Sequence, residues 1–223
     1  GMSPDVHVSY VDEDAIEAQM PNATPAELCL ALARAKAEAV ASDYAHDPDA
    51  LVVACDSVFD VDGQAFSKAA SEDQVRERWA QMLGRSGVLR TGHWVVRPNT
   101  GEETGAVANT VVHLGTPTPA EQDAYLATGE PLQVAGGFTI DALGGAFVEG
   151  IEGDPSNVVG LSLPTVRRLL SEFGATLMSS TFPWWWSSSS FRRKSSLPLC
   201  GSVCRELACE SASSSPSLSV CTA

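Results

Sequence analysis

Long apolar runs are missing from this sequence. Nothing in its 223 residues approaches the roughly 18–20 apolar positions that a membrane-spanning helix needs. The acidic opening from Gly1 to Asp14 lacks the basic-then-apolar layout of a secretory signal, so the expectation is a cytoplasmic protein with no membrane partner. Positive charge is also scarce. The net charge is −14, and the stretch from Ser179 to Ala223 holds four basic residues against two acidic ones, which leaves −16 on the remainder. Such a surface repels a nucleic-acid backbone, so no nucleic acid is expected as a partner. Before Ser179 there are only two lysines, Lys36 and Lys68, and every other strong base there is arginine.

Several motifs are absent too. There is no G-x-x-x-x-G-K-[ST] phosphate loop, no G-x-G-x-x-G after a strand, no H-E-x-x-H and no G-x-S-x-G. Of six cysteines, Cys29 and Cys55 lie in apolar segments and read as small buried side chains. Cys200, Cys204, Cys209 and Cys221 lack the paired C-x-x-C spacing of a zinc site. His93 and His113 fall in strand-like segments and read as satisfied structural histidines.

What is present is an alternation of strand and helix signals. Val6, Val8 and Tyr10 alternate with polar residues and predict a short strand running out through Val11. Thr24-Pro25-Ala26-Glu27 is a capping box with proline at the first helical position. It predicts a helix to about Asp43 with an apolar stripe of Leu28, Leu32, Ala35 and Ala39. Leu51–Cys55 reads as a buried strand that ends on Asp56, with a turn at Asp60–Gly63 in which Asp60 and Asp62 are solvated. Ser71 caps a helix with the stripe Val75, Trp79, Met82 and Leu83. Val88–Val96 and Thr104–Leu114 predict two long antiparallel strands joined by Pro98–Gly101. A helix opens at Thr118, short strand-like segments follow at Phe138–Ile140 and Ala146–Ile151, and a last helix runs from Pro164 to Gly174. The class is α/β with a mixed sheet.

Composition changes after about residue 177. Residues 178–223 are Ser-rich with no hydrophobic period and read as a disordered tail, so trimming them is expected to leave stability unchanged. Trp184–Trp186 with Arg192–Lys194 would suit a lipid interface, but the disordered reading is preferred.

Asp56 at a strand end can activate water as a general base or hold a divalent metal. Lys36 sits among alanines on the first long helix, and Lys68 follows the turn after Asp56. Together with the acids Asp12 to Asp14, these residues make a phosphate-and-metal site if the fold brings them together.

The ordered blocks that carry these residues resemble the Maf family. They are Val11-Asp12-Glu13-Asp14, Leu32 to Ala37, Val53-Ala54-Cys55-Asp56-Ser57-Val58, Lys68 twelve residues after Asp56, Leu83-Gly84-Arg85 with Thr91-Gly92, the Tyr125–Gly137 block, and Gly153-Asp154 through Asn157 to Leu161. The resemblance implies residues 1–177 as one Maf-like, inosine-triphosphatase-like domain, two-lobed and elongated, with a cleft. It implies hydrolysis of nucleoside triphosphates to monophosphate and pyrophosphate, cleansing the pool of non-standard nucleotides. By the same resemblance, Asp56 is the general base, Glu13 and Asp56 hold a divalent cation (Mg²⁺ or Mn²⁺), and Lys36 and Lys68 bind phosphate oxygens; members are often dimers. Family members begin with a strand and a Ser-x-Ser-Pro-Arg loop that this chain lacks ahead of Gly1. Val134 and Asp141 stand where many members have lysine and glutamine. The alternative expectation is therefore an inactive remnant that acts, if at all, as a binding protein.

Overall fold

The structure is a computed structural model that describes residues 4–177 and the backbone of residues 218–221. Its strands are β1 (Pro4–His7), β2 (Leu51–Val61), β3 (Gln64–Phe66), β4 (Ser86–Arg97), β5 (Glu102–Leu114), β6 (Val148–Glu152) and β7 (Leu218–Cys221). Its α-helices are α1 (Glu13–Gln19), α2 (Pro25–Ala41), α3 (Glu72–Met82), α4 (Pro119–Leu126), α5 (Pro155–Val159) and α6 (Leu163–Glu172). The sheet order is β1-β7-β2-β4-β5-β6, with β3 also paired to β2. Pairings with β7 are parallel and the others antiparallel, so the sheet is mixed, as the alternation of elements predicts.

β4 and β5 pair along their whole length across the Pro98–Gly101 turn. β2 is longer than its apolar run indicates. It continues through Val61, so Asp56 lies mid-strand rather than at a strand end, and Asp60 is a buried strand residue rather than a solvated turn. The cause is pairing on both edges: β4 matches β2 from Val52 to Asp60, and this ladder carries the strand past its polar positions. The first strand covers Pro4–His7 and stops short of Tyr10, which adopts a positive φ of 51°. Phe138–Ile140 forms no strand, and the short helix α5 carried no periodic signal.

α2 lies on one face of the sheet. Thr24 Oγ1 accepts from the Glu27 amide at 3.3 Å and Glu27 Oε2 accepts from the Thr24 amide at 2.8 Å, so the capping box is complete and fixes the start of the helix. Its buried stripe is Leu28, Cys29, Leu32, Ala33, Lys36, Ala37 and Val40, one position on from the expected Ala35 and Ala39. The stripe packs on Val52, Ala54, Val58 and Val96. The helix sits very close to β4: a Cβ added at Gly92 would meet the Cys29 carbonyl oxygen at 2.3 Å. Glycine at that position is what lets α2 settle onto the strands.

The opposite face carries two further cores. Val166, Leu169, Leu170 and Phe173 of α6 pack on Leu51, Val53 and Val95. Val75, Trp79 and Met82 of α3 join Phe59, Leu89, Val112 and Tyr125. Trp79 stacks on Tyr125 and Phe138 with ring centroids 5.8 and 5.3 Å apart. His93, fully buried, behaves as the structural histidine expected. Its Nδ1 is 3.0 Å from the Thr91 carbonyl and its Nε2 accepts from the Ser162 amide at 2.9 Å, which secures the start of α6.

Most of the Ser-rich tail, including Trp184–Trp186 and Arg192–Lys194, lies outside the described residues. Residues Leu218–Cys221 form β7, between β1 and β2. That placement replaces the expectation that trimming the tail costs nothing. Among the described residues β1 pairs with β7 alone, and β7 covers the edge of Leu51–Ala54, all 3% exposed or less. A chain ending at Leu177 is expected to melt several degrees lower, with faster amide exchange at Leu51–Ala54. An unchanged melting temperature and unchanged exchange would contradict the packing of β7.

Burial depresses the His93 pKa to about 4, with the neighbouring Thr91 and Ala106 backbone opposing the shift. Unfolded histidine titrates near 6.5. The folded form stays neutral where the unfolded form takes a proton, so stability is full above that value and falls as pH drops toward 4. The loss is expected to reach roughly 3 kcal/mol. His93→Gln should shrink the stability difference between pH 6.5 and 4 by about that amount, measured by denaturant unfolding; parallel pH profiles would contradict it.

Candidate active site

Four residues later than Leu32 on the buried stripe of α2, Lys36 leaves the helix on the sheet side. Its Nζ lies 2.6 Å from Asp56 Oδ1 and 2.8 Å from Glu13 Oε1. Lys36 is 1% exposed and Asp56 6%, whereas the Glu13 side chain is 44% exposed. Glu13 is the first residue of α1, whose start is set by Asp12 Oδ1 accepting from the Ala15 amide at 3.0 Å. In register, Asp56 stands opposite Gly92, so the close seat of α2 is also what brings the ammonium within reach of the carboxylate.

The edge of β2 away from β4 is built in two pieces. Pairing with β7 stops at Ala54, and pairing with β3 resumes at Phe59. Asp56 lies in that break. The chain leaving β3 after Phe66 supplies Lys68, which is exposed and lies near enough for its charge to lower the Asp56 pKa. The structure therefore brings Glu13, Lys36 and Asp56 into contact, with Lys36 and Asp56 as floor and Glu13 and Lys68 toward solvent. Among the described ion pairs none joins Lys68 to the other three.

The charges follow from this setting. Burial works against the Lys36 ammonium, but Asp56 and Glu13 outweigh it and hold the pKa above the ordinary lysine value. Burial raises the Asp56 carboxyl above the usual carboxylate range; Lys36 opposes the rise and Glu13 reinforces it. Burial, and then the Asp56 charge, push the Cys29 thiol up to about 12, so it stays protonated and inert.

Sequence reasoning missed the pairing of three further charged residues. Asp60 accepts from Arg90 Nε at 2.7 Å and from the Gly63 amide at 2.8 Å, and Arg90 also donates to Asn109 at 2.9 Å. Strand alternation from Asp56 places Asp60 on the same face, a signal that was available. Arg78 of α3 donates to the Ser67 carbonyl at 2.5 Å, beside Lys68, and no periodicity pointed to it. Pockets of about 270 and 400 Å³ lie elsewhere, one against Asp60 and Arg90 and the other against Arg97 and Phe173; neither is lined by Lys36, Asp56 or Lys68.

Among the described residues no group of three or more histidine, cysteine or acidic side chains is arranged for a metal. The donor set that exists is a pair of carboxylates, Glu13 and Asp56, converging on one cationic point. A magnesium-type ion commonly takes one or two carboxylates and completes its shell with substrate phosphate and water, and here the point between the two carboxylates is held by the Lys36 ammonium.

The sequence profile of the Maf-like protein family matches residues 1–173. The chain is 51% identical over 187 residues to a nucleoside triphosphate pyrophosphatase of Saccharopolyspora erythraea, covering 80% of this chain and 87% of that protein. It is 51% identical over 175 residues to the protein of that name in Streptomyces coelicolor, covering 78% and 82%. It is 52% identical over 179 residues to the one in Nocardia farcinica, covering 78% and 84%. The ordered blocks, the antiparallel strands β2 to β6 and the contact of Glu13, Lys36 and Asp56 all fall inside the matched span, and the chain belongs to the Maf-like protein family.

Proposed function

We propose that this chain hydrolyses nucleoside triphosphates to the nucleoside monophosphate and pyrophosphate, with Asp56 as general base and Lys36 and Lys68 as phosphate-binding cations. The reading is carried by one observation: Lys36 Nζ is held within 2.8 Å of two carboxylates at the break in the β2 edge. The names of the relatives, at about half identity, support the same reaction class.

Each residue has a physical task. A buried carboxylate with a raised pKa is a stronger base than an exposed one, so Asp56 is suited to take a proton from water as it attacks phosphorus. Lys36, kept charged by its two partners, orients Asp56 through Oδ1 and presents positive charge where negative charge builds on the phosphoryl oxygens. Lys68, exposed at the rim, meets the outer phosphates. On a chain of net charge −14 these local cations are what offsets repulsion of a triphosphate. Glu13 and Asp56 would hold a divalent cation, Mg²⁺ or Mn²⁺, which when bound neutralises phosphate charge.

The test is a product analysis with Mg²⁺ or Mn²⁺ across standard and modified triphosphates, run in ¹⁸O-labelled water. One pyrophosphate is expected per monophosphate, with the label in one of those two products. Orthophosphate released stepwise through a diphosphate would overturn the reading, as would no turnover of any triphosphate. Lys68→Ala is expected to lower kcat/KM by about 10²–10³-fold, the usual cost of removing one charge-stabilising donor. An unchanged value would remove Lys68 from the site.

A further inference from the structure

Lys68 lies in the five-residue connection between β3 and α3, Ser67–Ser71, and that connection is tied to α3 on both sides of Lys68. Arg78 Nη1 donates to the Ser67 carbonyl at 2.5 Å, and Gln74 Oε1 accepts from the Ala70 amide at 2.7 Å. Gln74 and Arg78 are four residues apart, so they lie on one side of the helix and form a two-point clamp. A long, exposed lysine reaches a fixed point only if its backbone is fixed, and this clamp is what fixes it.

Arg78 is half-buried, and its planar fork donates to the Ser67 carbonyl from one fixed nitrogen, a geometry that an ammonium on a flexible stem reproduces poorly.

We propose that Arg78 is a positioning residue of the triphosphate site, holding the Lys68 loop through the Ser67 carbonyl. The proposal rests on the reading of the site given above. It makes Arg78 act through Lys68 rather than on the substrate. A displacement of about 1 Å in such a group lowers rates by up to about 100-fold.

The experiment compares wild type, Arg78→Ala, Arg78→Lys, Lys68→Ala and the Arg78→Ala/Lys68→Ala double variant by amide hydrogen exchange and steady-state kinetics. Arg78→Ala should speed exchange at least 10-fold at residues 67–70 and lower kcat/KM by 10- to 100-fold. Arg78→Lys should leave 67–70 partly released, and it carries the test if the alanine variant unfolds. In the Lys68→Ala background, Arg78→Ala should lower kcat/KM by less than the full single-variant factor. Wild-type exchange at 67–70 in both Arg78 variants overturns the proposal, as do losses that multiply in the double variant. If wild type turns over no triphosphate, the proposed function fails, and the exchange data alone still decide the role of Arg78.

Discussion

Burying Lys36 beneath α2 obliges the rest of the fold to bring carboxylate to it, because an ammonium stripped of water and left unpaired costs several kcal/mol. Asp56 answers from the sheet at 2.6 Å and Glu13 from a separate helix at 2.8 Å. The contact needs α2 pressed against the strands, and Gly92, opposite Asp56, is the position where any side chain would collide with the α2 backbone. The capping box at Thr24 sets the register of the same helix, so the third turn delivers Lys36 to the right strand residue. The Lys36–carboxylate contact and the packing of α2 are here one constraint.

The edge of β2 is split beside that contact: β7 ends at Ala54 and β3 begins at Phe59, and the loop beyond β3 carries Lys68 near enough for its charge to act on Asp56. The far face supplies rigidity: Tyr125 donates to Glu130 at 2.7 Å, and Glu130 accepts from the Leu143 and Gly144 amides, pinning the Gly-rich block that has few other regular bonds. Asp154, Ser156 and Ser162 knit the turn before α6 to His93 in β4.

Local chemistry made much of this legible in the sequence. Both Thr-Pro-x-Glu boxes appear as helix starts with both reciprocal bonds made, and the β4–β5 hairpin pairs as its turn residues required. The scarcity of lysine singled out Lys36 and Lys68, and Lys36 does meet Asp56. What could not be read depends on long-range pairing. The length of β2 is set by β4, not by its own apolar run, so the apolar run alone indicates a strand end at Asp56 and a turn at Asp60. β7 comes from a Ser-rich tail with no period and becomes a strand only because a slot exists between β1 and β2. Arg78 carries no periodic signal, and its partner Ser67 belongs to the connection after β3.

Asp56→Asn tests the proposed role of Asp56 as a base over a cation already in place, since the amide keeps the shape while Glu13 still pairs with Lys36, and binding of an analogue with Mg²⁺ separates loss of the base from loss of metal and substrate binding. Pyrophosphate release and binding of an α,β-methylene triphosphate should be measured together on wild type and Asp56→Asn with Mg²⁺. The account predicts that the variant still binds the analogue but loses at least about 10²-fold in kcat, within the range general-base catalysis contributes. Turnover by Asp56→Asn at the wild-type rate would contradict it.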